Sequence, residues 1–252
     1  MRLIQTVASA EGFRDGASNQ GRLGLLEELI RLSKREAARL LLVPACFLTA
    51  RSEDDVPALM ADVDRLASGA EVAVIGGVDV AGPASKRAPT IDDLVRNGRL
   101  PYFGFAIGRV ALAADSGRLW RQTSVNHSNA DQIPNEAVPG GERVVTVDGI
   151  RMGVLICGEL FSWRARQGIG KAGARLVVDV GHSGMGQGLI PAMRGVAKEG
   201  QCCVAHSQHL SGWYGRAVHF VDARGEQLSA DVDQAHLVEH GSLWAAWAAR
   251  EV

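Results

Sequence analysis

The sequence predicts an α/β layered domain, and three observations carry that expectation. Short apolar runs of strand length end at Pro or Gly, as in Leu40–Val43 before Pro44. Segments with apolar residues three and four apart alternate with them, which is helical spacing. Asp148-Gly149 and Asp115-Ser116-Gly117 each separate two apolar runs, marking hairpins inserted into the alternation. Strands interleaved with helices form layers rather than an all-helical or all-strand core. A chain of 252 residues suits one such domain, and no linker or short internal repeat divides it.

In order, Leu3 to Ala8 reads as a first strand, followed by a polar loop from Ser9 to Gln20. Leu23, Leu26, Leu29, Ile30 and Ala37 then recur on one helical face, with Glu27 placed four residues before Arg31. Leu40 to Val43 is continuously apolar, the mark of a parallel strand buried on both faces. Val56, Leu59, Met60, Val63, Leu66 and Ala67 define a second helix, with Pro57 tolerated in its first turn. Glu71 to Val80 is a third buried strand, whose Gly76-Gly77 pair permits close backbone approach. A short helix over Thr90–Asn97 precedes the strands Phe103–Ala114 and Arg118–Gln122. Ser124 to Glu142 is a long aperiodic connection, of the kind that carries function in compact domains. The hairpin about Asp148-Gly149 ends on Cys157, and a helical segment then closes on Gly173. Arg175–Val180 is a strand, Gly181–Gly188 a loop, Leu189–Glu199 a helix closed by Gly200, and Cys202–His206 and Ala217–Val221 strands. The tail from 230 to 252, with Trp244 and Trp247, is expected to be a C-terminal extension that packs on a partner subunit or folds over its own.

Composition narrows the function. With 46% hydrophobic and 22% charged residues and a formal net charge of −1, the chain has neither a basic excess nor a Lys/Arg run. Nucleic-acid and anionic-membrane surfaces are therefore not expected. No apolar run reaches the length of a membrane span, and the N-terminus lacks a signal-peptide core. The four cysteines, Cys46, Cys157, Cys202 and Cys203, form no disulfide framework, which points to a reducing, cytoplasmic setting.

Several residue groups could carry chemistry. Cys157 sits at a strand tip, beside a carboxylate, Glu159, and at the mouth of a helix, where a thiol can be exposed and activated; the competing reading is a small buried core residue. Glu159 can equally satisfy helix-start amides. His182 follows a strand, and strand ends line crevices in α/β sheets; it can also be an exposed loop histidine. Cys202, Cys203, His206 and His209 invite a metal reading, but adjacent strand residues point to opposite faces, so no metal is expected. No G-x-S-x-G or Walker pattern is present, and no cofactor is implied.

Taken together, the order of motifs resembles the nitrilase superfamily of carbon–nitrogen hydrolases from Met1 to about Ser229. The matching pieces are the opening strand with Gln5, LLLVPA, VIGG, DSGRLWRQTSV, NEAVPGGE, GVLICGELF, GARLVV, the helix ending AKEG, and GRAVHFVDARGE. The resemblance implies a four-layer α-β-β-α sandwich, a homodimer or higher homo-oligomer, and a small-molecule amide, nitrile or acyl ligand. It also implies a Glu-Lys-Cys mechanism, in which Cys157 is the nucleophile and Glu136 a supporting glutamate. Two positions depart from the family pattern: Ala45 stands where the family has its base, and Gln122 where it has its lysine. Ala45 can take no proton, and losing one electrostatic stabiliser costs on the order of 10²–10³ in rate.

Two expectations follow. Either Cys157 remains a nucleophile and recruits another base, with Glu136, Glu159 or His182 at hand, or the chain is a degenerate homologue that binds a ligand or regulates a partner. A histidine suits the first role, because its pKa lies near neutrality.

Overall fold

The alternation of side chains along each strand sorts the core into three layers of contact. The computed structural model describes residues 1–81, 100–108, 118–123, 143–183, 187–210, 217–228, 230–231 and 236–252. The first half of the chain forms β1 (Arg2–Ser9), α1 (Asn19–Arg35), β2 (Leu40–Leu42), β3 (Leu48–Ala50), α2 (Val56–Ala67), β4 (Ala73–Val80), β5 (Tyr102–Ile107) and β6 (Arg118–Arg121). It continues through β7 (Val144–Val147), β8 (Ile150–Ile156), a 3-10 turn (Cys157–Phe161), α3 (Trp163–Lys171), β9 (Leu176–Ser183) and α4 (Leu189–Gly200). The last elements are β10 (Cys203–Leu210), β11 (Ala217–Val218), β12 (Phe220–Val221), β13 (Ala230–Asp231), β14 (Leu237–His240) and β15 (Leu243–Glu251).

Two sheets meet at β1. Leu3–Gln5 pair in parallel with β2, and Val7–Ser9 pair in parallel with β10. One sheet runs outward through β2, β4, β5 and β6, the other through β10, β9, β8 and β7. On the first sheet, Leu41, Val43 and Val74 pack with Leu25, Leu29 and Val63 of α1 and α2. Their strand neighbours Leu40, Leu42 and Ile75 point the other way and meet Val154, Ile156 and Val178 of the second sheet. Leu155 and Val177 then face Ile169 of α3 and Met193 and Val196 of α4. Helix, sheet, sheet and helix thus stack as an α-β-β-α sandwich, as the motif order implied. The sheets approach closely: a Cβ on Gly104 would lie 2.8 Å from Ile156.

Local signals explain most boundaries. Asp148 and Gly149 both adopt positive φ (52° and 77°), the two-residue turn that a twisted hairpin needs. Pro57 lies in the first turn of α2. Just upstream, Asp55 accepts from both the Ser52 N–H and its hydroxyl.

Four expectations need correction. The Gly181–Gly188 loop does not begin at Gly181: β9 continues to Ser183, so His182 is a strand residue and is buried. The helix before β10 ends in a left-handed Gln201 (φ 48°), not at Gly200 as a glycine cap. The strand read as Cys202–His206 runs on to Leu210. The tail is no appendage: β15 pairs antiparallel with β1 from Arg2 to Ala8, and Leu243 and Ala245 enter the α1 core. The helix expected over Thr90–Asn97 and the Ser124–Glu142 connection lie outside the described residues.

Candidate active site

Cys157 stands at the point where β8 gives way to the 3-10 turn, and its backbone adopts φ 50°. A left-handed non-glycine residue costs about 1–3 kcal/mol, so surrounding contacts must hold it. Glu159 supplies them. One carboxylate oxygen accepts the Ile156 N–H at 2.9 Å, while the other accepts the Thr123 N–H at 2.7 Å, the Thr123 hydroxyl at 3.0 Å and Arg143 Nη2 at 2.8 Å. Glu159 is fully buried; burial pushes its pKa up, against the Arg143 charge and the Thr123 and Ile156 hydrogen bonds. Its lone pairs are committed to holding the turn, which leaves it no role in proton exchange.

Beneath the turn, Asp179 on β9 accepts a backbone hydrogen bond from Cys157 and binds His206 Nδ1 at 2.6 Å. Burial raises the Asp179 pKa, with the His206 hydrogen bond and charge opposing it.

His182 is in hydrogen-bonding contact with the thiol. In the parallel pairing of β8 with β9, Ile156 lies opposite Val180, so β8 ends while β9 runs on to Ser183 and carries His182 past Cys157. Its Nε2 is 3.0 Å from each carboxylate oxygen of Asp79, on β4 of the facing sheet. Burial opposes charge on the ring, but the Asp79 carboxylate and the Cys157 sulfur, both in hydrogen-bonding contact with it, raise its pKa to about 10. His182 is therefore an imidazolium at neutral pH.

Asp79 has a second cation. Arg14 Nε lies 3.4 Å from Asp79 Oδ2, and its guanidinium sits 5.0 Å from the Phe13 ring and 5.2 Å from the Tyr102 ring. Arg14 Nη2 donates to the Tyr102 hydroxyl at 3.4 Å. The Tyr102 ring in turn stands edge-on to His182, with centroids 4.6 Å apart. Burial raises the Tyr102 pKa, against the Arg14 charge and with that of Asp79, so its hydroxyl keeps its proton.

The sequence-identified positions divide clearly. Cys157 and His182 come together. Glu159 lies beside them as a structural anchor. Ala45 is buried with its side chain in the inter-sheet cluster; its N–H donates to Gly181 O at 3.0 Å and its carbonyl faces His209 Nε2 at 3.0 Å. Gln122 is buried, with its N–H bonded to Tyr102 O at 2.8 Å. Glu136 lies outside the described residues. Cys202 points into the helix layer, Cys203 toward the inter-sheet layer, and His206 and His209 bind Asp179 and backbone carbonyls. Among the described residues no group of three metal-ligating side chains forms.

Asp79, Arg14 and Tyr102 were missed from the sequence. The one available signal was a carboxylate within an otherwise apolar buried run, since such a group is almost never buried unpaired.

No family model and no curated protein sequence matches this chain. Solved structures do. An amidase from Nesterenkonia sp. superposes with a TM-score of 0.67 at 15% identity, covering 98% of this chain and 90% of that one. A cysteine-to-serine variant of the Nesterenkonia AN1 amidase from the nitrilase superfamily gives 0.68 at 16% identity, with the same coverages. A glutamate variant of the Nesterenkonia sp. AN1 amidase, with the acetamide moiety of fluoroacetamide covalently added at its active-site cysteine, gives 0.68 at 15% identity, again over 98% and 90%. The chain has the fold of the nitrilase-superfamily amidases.

Proposed function

We propose that this chain is a carbon–nitrogen hydrolase-like enzyme, acting on an amide, nitrile or activated acyl carbon of a small molecule through Cys157, with His182 as the acid and base and Asp79 as the group that orients it. The observation that supports this reading is the position of His182 Nε2, 3.0 Å from both Asp79 oxygens, with the Cys157 sulfur as the ring's other partner. A nucleophile, an imidazole and a carboxylate in that order form a catalytic constellation recognised by roles rather than sequence position. It substitutes for the base missing at Ala45.

The steps follow from the charges. The proton shared by the Cys157–His182 pair rests on the ring, so sulfur reacts as a thiolate beside the imidazolium. Sulfur attacks the amide carbon, the new S–C bond forms and the carbonyl electrons move to oxygen. As the tetrahedral species collapses, His182 gives its proton to the nitrogen, the C–N bond breaks and the amine leaves, with a thioester on Cys157. Neutral His182 then takes a proton from water as the water oxygen attacks the thioester. The thiolate departs and the carboxylic acid is released. Asp79 compensates the imidazolium at each stage and fixes the ring's orientation.

The test is intact-mass detection of an acyl-enzyme with small amides and activated esters, in the native chain and in Cys157→Ala and His182→Gln. Acylation that requires Cys157 and slows strongly in His182→Gln is expected. Ligand binding without any Cys157 adduct or turnover would instead indicate a binding or regulatory homologue.

A further inference from the structure

Arg14 and His182 both lean on the single carboxylate of Asp79, so Arg14 shares its counter-ion with a second basic group. A buried guanidinium with a shared counter-ion and few hydrogen bonds is costly, which favours an acceptor brought in by the substrate.

Arg14 is the residue placed to receive it. Its side chain is only 10% exposed, yet a guanidinium carries five N–H donors. Among the described residues, Nε meets Asp79 as an ion pair at 3.4 Å without a well-formed hydrogen bond, and Nη2 makes the 3.4 Å hydrogen bond to Tyr102. Phe13 and Tyr102 flank the guanidinium, fixing its plane and excluding water. A buried, pre-oriented and under-used guanidinium matches a carboxylate, whose two oxygens its fork can engage together. The Tyr102 ring neighbours both the guanidinium, at 5.2 Å, and the imidazole, at 4.6 Å, which puts an anion on Arg14 close to the carbon that Cys157 attacks.

We propose that the substrate carries a carboxylate, held by Arg14, a few bonds from the carbon attacked by Cys157. This rests on the reading of Cys157 as nucleophile, and it adds a substrate class to that reading.

The test is alkylation of Cys157 by a series of N-iodoacetyl ω-amino acids of increasing chain length, each compared with its neutral terminal amide. In every case sulfur bonds to the methylene carbon and iodide leaves, so the pairs differ only in terminal charge. At one chain length the carboxylate should react faster than its amide, and Arg14→Gln should lower that rate ratio by about ten- to a hundredfold. Arg14→Lys, which keeps the charge beside Asp79 but loses the fork, should retain an intermediate ratio and serves if the glutamine variant fails to fold. Using the ratio cancels any general loss of thiol reactivity. A ratio near one at every length, or a ratio unchanged in Arg14→Gln, overturns the proposal; a ratio abolished by His182→Gln but not by Arg14→Gln assigns the preference to the imidazolium and also overturns it. Failure of the triad reads differently: the neutral amides would alkylate with the same pH dependence in His182→Gln as in the native chain.

Discussion

His182 on one sheet and Asp79 on the other are joined across the inter-sheet space by an imidazole nitrogen 3.0 Å from both carboxylate oxygens. The contact spans 103 positions of sequence and ties the strand ends of the second sheet, next to Cys157, to the first. Asp79→Asn preserves the shape of this link and removes its charge. The chief influence raising the His182 pKa is then lost, so the ring moves down from about 10 toward the ordinary histidine value. Because the imidazolium is the working form, the alkaline limb of kcat/KM should shift to lower pH, with kcat falling on the order of 10²–10⁴. A pH–rate profile with its alkaline limb unmoved would be incompatible with Asp79 as the orienting carboxylate.

The thiols should separate sharply in reactivity. Burial pushes Cys46 well up, with the Asp79 charge adding to it, and pushes Cys202 to about 12. Neither is able to supply much thiolate at neutral pH, and both are buried. Cys157 is partly exposed and has a cationic imidazole beside it. One equivalent of iodoacetamide at neutral pH should therefore modify Cys157 ahead of Cys46 and Cys202, as read by peptide mass mapping. Preferential labelling of Cys46 would show that accessibility to the site follows another route.

Much of this architecture was legible in the sequence because it is local. The Asp148-Gly149 turn, the α2 periodicity and the Leu40–Leu42 run each declare themselves within a dozen residues, and the structure contains all three. His182 was visible as a candidate but was assigned to a loop, since Gly181, Gly184, Gly186 and Gly188 mask the end of β9. Asp79 was invisible as a site residue. Its partner is set by how two sheets face each other, and strand periodicity reports which face a side chain takes but not what waits opposite. Arg14 escaped for a similar reason: a polar loop gave no sign that its guanidinium would be enclosed between Phe13 and Tyr102. Glu159 was singled out by its place after Cys157, and its carboxylate accepts the Ile156 N–H at the start of the turn.

Glu159 offers a stability test of that role. Its carboxylate and Arg143 are both almost wholly buried and 2.8 Å apart. Removing one member of such a pair leaves the other charge uncompensated, at a cost of about 3–5 kcal/mol. Glu159→Gln should thus lower the denaturation free energy by about that amount, measured from urea midpoints at constant slope. A change below about 1 kcal/mol would mean that the turn beneath Cys157 is held by other contacts.

His182 and His209, both buried, should bend the pH dependence of stability in opposite directions. His182 has a folded pKa of about 10, above its ordinary 6.5. Between those values the native state keeps a proton that the unfolded chain has released, so its contribution is full below 6.5 and is lost as pH rises toward 10. His209 is the reverse case. Burial and the nearby Arg22 charge lower its pKa to about 3, and the neutral ring donates to only one of the Ser9 and Ala45 carbonyls, each 3.0 Å away, at a time. Below 6.5 the unfolded chain binds a proton that native His209 refuses, so its contribution is full above 6.5 and is lost as pH falls toward 3. Stability measured by urea denaturation from about pH 4 to about pH 10 should therefore become less alkali-sensitive in His182→Gln and less acid-sensitive in His209→Gln. The comparison uses the slopes, so the hydrogen bonds lost in each variant shift the curves vertically without affecting the result. If either variant kept the native slope on its own side of pH 6.5, the protonation state assigned to that ring would be wrong. For His182, that outcome would also remove the imidazolium on which acid catalysis at Cys157 depends.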